Sequence, residues 1–86
     1  MEFGISITFQ RKIYFYTVRL EYKDNRVERY RVIAANKTLL LQCNRPLIRK
    51  YSKTRQPNWS LVEGKVDSSS GLEDIRKAIM AVIEKN

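Results

Sequence analysis

The sequence lacks histidine altogether and has a single cysteine, Cys43. Without a second cysteine no disulfide can form within the chain. Without histidine there are no Cys/His zinc sites, no histidine acid/base pairs and no Cys-His nucleophile. Glycines are three and scattered, so no phosphate-cradling glycine loop is present. The amino-terminal stretch MEFGISITFQRK has no basic region ahead of a long apolar run. Its apolar residues alternate with polar ones, which reads as neither signal peptide nor membrane span. A cytoplasmic location is the expectation. No two carboxylates stand at a spacing suited to acid/base work. Glu73 and Asp74 read as helix-start residues, and Ser68 to Ser70 as linker and cap. The sequence therefore reads as a non-enzyme, with no cofactor, no metal and no small-molecule substrate. Asn36-Lys37-Thr38 and Asn58-Trp59-Ser60 match the glycosylation pattern, which carries no weight without a secretory signal.

What is present is positive charge. Eighty-six residues carry a net charge of +8, enough for one small domain spanning 1–86 that attracts polyanions. The cations are uneven. From Arg29 to Val62 there are eight cations and no acid. This predicts one basic region in the middle of the protein.

The first two-thirds of the chain alternates with period two and the end has helical spacing. Strands are predicted over Glu2 to Gln10, Ile13 to Tyr22, Val27 to Ala35, Thr38 to Asn44 and roughly Asn58 to Lys65. Register follows from keeping apolar side chains on one face, since a slip of one residue turns a strand over. A turn at Arg11-Lys12 sets Phe9 against Tyr14 and Ile5 against Val18. One long bent strand with a bulge near Arg11 is the alternative. A loop of Asp24, Asn25 and Arg26 sets Leu20 against Tyr30 and Val18 against Val32, with Glu21 against Arg29 on the other face. A turn at Asn36-Lys37 sets Val32 against Leu41 and Tyr30 against Cys43.

The segment SSSGLEDIRKAIMAVIEKN predicts a helix, with Ser70 and Glu73 fitting a capping box. Lys85 suits the helix's negative end. Leu72, Ile75, Ile79, Val82 and Ile83 form its apolar stripe. The expected fold class is α+β: a five-stranded antiparallel β-meander with one carboxy-terminal helix packed on one face. That face carries Ile5, Ile7, Tyr16, Val18, Leu20, Val32, Leu39, Leu41 and Trp59. Cys43 shares it, as an inert buried thiol. The opposite face shows Arg19 and Arg31 without an opposing acid, beside an apolar spot of Phe15, Ile33 and Leu40.

CNRPLIRKYSKTRQPNW, residues 43 to 59, is expected to be a loop too long for a hairpin. Arg45, Arg49, Lys50, Lys53 and Arg55 are its candidate phosphate contacts, with Tyr51 as a stacking surface and Arg19 and Arg31 as a second set. This points to low-specificity binding of DNA or RNA. The alternative is a protein-interaction or homodimerisation domain using the open face and the edge strands. A membrane role is not supported, because the helix has no net positive face.

ERYRVIAANKTLLLQCNRPLIR and PNWSLVEG, residues 28 to 49 and 57 to 64, resemble a group of small bacterial proteins sharing an ERY strand, an NK turn, an NRP element and a tryptophan strand ending in Glu-Gly. That group has no assigned activity, so the resemblance implies a bacterial origin and nothing catalytic. In architecture alone, a meander followed by a helix is similar to a single-stranded-DNA-binding coactivator domain, which dimerises. None of that family's sequence signature is present, and fold analogy does not establish function.

Overall fold

The structure is a computed structural model and describes residues 1–66 and 69–85, with the backbone alone at 69 and 70. It is an α+β fold. Five antiparallel strands follow one another in space as in sequence: β1 (Glu2–Phe9), β2 (Lys12–Lys23), β3 (Glu28–Ile33), β4 (Thr38–Cys43) and β5 (Trp59–Glu63). A short helix, α1 (Arg45–Tyr51), interrupts the path from β4 to β5, and α2 (Ser69–Ile83) follows β5.

The alternation decides the layers. Ile5, Val18, Tyr30, Val32, Leu39, Leu41 and Cys43 point to one face and are buried with Ile75 and Ile79 of α2. Burial contributes about 1.5–3 kcal/mol for each large apolar side chain, against the entropy of ordering the chain. On α2 the stripe is narrower than its spacing suggests. Val82 is exposed, while Ala78 and Ile83 pack against the core. The cap read at Ser70 falls on a side chain outside the described ones. Glu73 pairs with Arg76 and Lys77, one turn further along α2. Lys85 follows the end of the helix, its amide bonded to the carbonyl of Val82.

Outside a bulge near the end of β2 the faces match the expected pairing, but two turns sit elsewhere. Residues 2 to 23 form a hairpin, with Ile5 opposite Tyr16 and Phe9 opposite Lys12. Its turn is Gln10-Arg11, and both residues have positive φ, 50° and 64°. These are the left-handed conformations a two-residue hairpin turn demands, adopted here without glycine. The β3–β4 turn is centred on Ala35-Asn36, closed by the Ala34 amide donating to the Lys37 carbonyl at 2.9 Å. Tyr30 therefore faces Leu41, not Cys43, and Glu28 takes the place opposite Cys43. Both shifts are of two residues, which preserves the buried face.

The β2–β3 register agrees at Leu20–Tyr30 and Val18–Val32, then breaks at a bulge between Leu20 and Tyr22. The bulge overturns the expected Glu21–Arg29 pair. Tyr22 takes the place opposite Arg29, whose guanidinium lies 5.0 Å from the Tyr22 ring centroid. Glu21 turns instead to Arg31. Beyond the bulge Lys23 lies opposite Glu28, with its ammonium 3.8 Å from that carboxylate.

Two further features shape the molecule. Residues 12 to 16 of β2 pair only with β1, so the first hairpin projects beyond the end of β3. A pocket of about 190 Å³ opens between this hairpin and α2, lined by Phe9, Tyr14, Tyr16 and Ile75 among others. It is smaller than the few hundred cubic ångströms typical of small-molecule sites. No helix among the described residues is long and apolar enough to cross a membrane.

Candidate nucleic-acid interface

The expected loop after β4 is in part a helix. Pro46 sits in the first turn, where a missing amide hydrogen costs nothing. Arg49 and Lys50 lie in the last turn, where positive charge suits the helix dipole. Ile48 is buried and anchors the turn of chain. Asn44 holds the base of the segment closed. Its carboxamide oxygen accepts from the Asn58 amide at 2.7 Å, and its own amide donates to the Asn58 carbonyl at 3.2 Å.

The structure divides the eight candidate residues into two groups. In the first group every cation is held by carboxylates. Arg45 makes a two-pronged contact with Glu28, Nε to Oε1 and Nη2 to Oε2, both 2.8 Å. Glu28 is 1% exposed, on the core face of β3. Arg45 also donates from Nη1 to Glu84 at 3.3 Å, and the same Glu84 accepts from Nε of Arg49 at 2.6 Å. The two guanidinium charges outweigh burial and lower the Glu84 pKa. The hydrogen bond to Glu28 raises the Arg45 pKa, so Arg45 stays charged. The Cys43 thiol lies 3.8 Å from the same carboxylate, and burial pushes it up to about 11.

Arg19 and Arg31 stand directly opposite each other on β2 and β3. Like charges so placed repel, but each has acids alongside. Arg19 pairs with Glu2 at 3.1 Å. Arg31 binds Glu21 at 2.6 Å and Glu63 at 2.9 Å. The expectation of an unopposed pair is therefore corrected. Glu2 comes opposite Arg19 only in the observed β1–β2 register, Glu21 comes round through the bulge, and Glu63 reaches Arg31 from β5 across β4. The apolar spot changes too, because Leu40 is buried while Phe15 remains 75% exposed.

The second group is Lys50, Tyr51, Lys53 and Arg55. The three cations are exposed and make no ion pair among the described residues, and Tyr51 is 81% exposed. The turn that carries them is fastened from within. Ser52 Oγ accepts from the amides of Thr54 and Arg55 at 3.3 and 3.0 Å. Arg49 Nη1 donates to the carbonyls of Ser52 and Arg55 at 3.3 and 2.7 Å. Arg49 is thus a positioning residue for its neighbours. Of the eight cations in the basic middle of the sequence, Arg31, Arg45 and Arg49 are neutralised and Lys50, Lys53 and Arg55 gather on one small turn. Arg29 lies against Gln42 and the Tyr22 ring, and Lys37 forms no ion pair among the described residues.

Glu28 and Glu84 escaped the sequence reading. For Glu28 a signal existed, since alternation with Tyr30 and Val32 puts an acid in a buried row. Nothing local marks Glu84, because its partners lie 35 and 39 residues away. No group of acids or cysteine among the described residues is arranged to hold a metal. Compared with known proteins, the chain matches no family model, no curated protein and no solved structure.

Proposed function

We propose that the protein is a nucleic-acid-binding module of low sequence selectivity, acting on DNA or RNA in the cytoplasm. Lys50, Lys53 and Arg55 contact phosphates, and Tyr51 offers its ring to an unpaired base. One observation supports this above the others: an ordered turn carries three cations, without carboxylate partners among the described residues, around an exposed aromatic ring. The rest of the positive charge near it is bound inside the protein. Arg45 and Arg49 hold the turn in place, and Arg19 and Arg31 stitch the open face. Phosphate contacts position a chain without reading bases, and stacking tolerates any base.

The test is fluorescence anisotropy with single-stranded DNA, duplex DNA and RNA at several salt concentrations. Three phosphate contacts on a single strand give a slope of about −2 in log K against log salt. Lys50→Gln/Lys53→Gln/Arg55→Gln removes most of that dependence. Tyr51→Ala weakens single strands more than duplex. The proposal fails if no nucleic acid binds at low salt, or if the triple variant binds as the parent does.

The second reading is a protein-interaction domain. The exposure of Phe15 and Val62 on the open face favours it, and the burial of Leu40 reduces that surface.

A further inference from the structure

The two edges of the sheet are unlike. β5 has five residues, follows a buried proline, Pro57, and meets β4 across a bulge at Leu40/Leu41. Such features discourage pairing with another chain. β1 has eight residues in unbroken register with β2 and contains no lysine, arginine or proline. Its outward amides and carbonyls meet no other described strand. Among the described residues, the one further backbone bond at this end joins the Leu20 amide to the Met1 carbonyl, toward β2. An edge this long and unprotected is a template for a strand.

We propose that the strand it takes is β1 of a second copy, paired antiparallel about a two-fold axis, so that two five-stranded sheets become one. The sequence of β1 is complementary to itself in this arrangement. An axis perpendicular to the sheet at Ser6 sets Ser6 against its copy. It sets Ile5 against Ile7 and Phe3 against Phe9 on the α2 face, and Gly4 against Thr8 on the other. Apolar meets apolar on the α2 face, and small residues meet on the other. Phe9, 45% exposed, faces only Lys12 within its own hairpin and gains an aromatic partner. Glu2 is the sole charged residue of the strand. It meets the Gln10-Arg11 turn of the other copy, so no like charges are opposed. The symmetry is that of an isologous dimer. The seam leaves Lys50, Lys53 and Arg55 untouched, so it stands independently of nucleic-acid binding.

Sedimentation equilibrium of the full chain over a broad concentration range tests the dimer. A reversible monomer–dimer equilibrium is expected. Ser6→Lys sets two ammonium groups together at the axis and yields a monomer with an unchanged far-UV circular dichroism spectrum. Ser6→Glu alone also yields a monomer, and mixing the two variants restores a dimer. Ser6→Cys forms an intermolecular disulfide under mild oxidation, whereas Val62→Cys, exposed on β5, does not. A parent protein that stays monomeric throughout overturns the proposal, whether or not some other strand takes the edge. So does a Ser6→Lys variant that dimerises as the parent does, or equal cross-linking at Val62→Cys.

Discussion

Arg45 reaches from α1 to close both oxygens of Glu28 from β3, and its remaining nitrogen meets Glu84 just beyond α2. Three elements distant in sequence are tied at one guanidinium. Arg45→Met leaves the buried Glu28 carboxylate with the Lys23 ammonium at 3.8 Å as its one cationic neighbour among the described residues, beside the neutral Cys43 thiol. Breaking a buried ion pair from one side costs about 3–5 kcal/mol. Glu28→Gln/Arg45→Met removes both charges and should cost clearly less than the two single changes together. Urea denaturation of the four proteins in a double-mutant cycle checks this.

Asp24 organises the β2–β3 loop. One oxygen accepts from the amides of Arg26 and Val27, each at 2.8 Å, and the other from the Tyr22 hydroxyl at 2.7 Å. The Val27 amide is the largest cause that takes its pKa from 3.8 to about 2. A lowered folded-state value means stability that is fully present above the unfolded value and lost as pH falls through the folded one. The stability curve should therefore decline between about pH 4 and pH 2, and Asp24→Ala should flatten that decline. Thermal melts of both proteins across this range measure it.

Cys43 is 1% exposed, and its thiol is held largely protonated by burial. The thiolate is the reactive form. Iodoacetamide should leave the native protein unmodified at neutral pH and label it promptly in denaturant. Intact mass with and without urea decides the matter. Labelling of the native state at the rate of a free thiol would contradict the buried position.

Gly64 ends β5 with φ at +94°, and a Cβ there would lie 2.7 Å from both the Thr38 carbonyl oxygen and a Leu39 methyl carbon. Gly64→Ala meets backbone strain and a backbone contact that cannot move aside. It should destabilise the protein by about 2 kcal/mol or more. A lower midpoint in urea with an unchanged slope is the expected result.

Much of the fold was legible because alternation is a local property. Val18, Val32 and Leu41 follow period two in strands joined by short turns, so their common face can be read along the chain. Two turns lie one residue from their expected places, which shifts each register by two, and no face test detects that. The bulge at Glu21 was hidden because a bulge leaves the sequence pattern almost unaltered while changing partners beyond it. The helix over Arg45–Tyr51 is too short for its periodicity to stand out, although Asn44 and Pro46 mark its start.

The sequence by itself determined the class of fold, the buried row from Ile5 to Cys43, and the surplus of positive charge. These depend on side-chain type and spacing within each segment. Tertiary structure alone decided which cations are free. Arg31 is held by Glu21 and Glu63, and Arg45 by Glu28 and Glu84, while Lys50, Lys53 and Arg55 meet no acid among the described residues. Pairing between charges depends on distance in space, and here the folded sheet and its two helices set those distances.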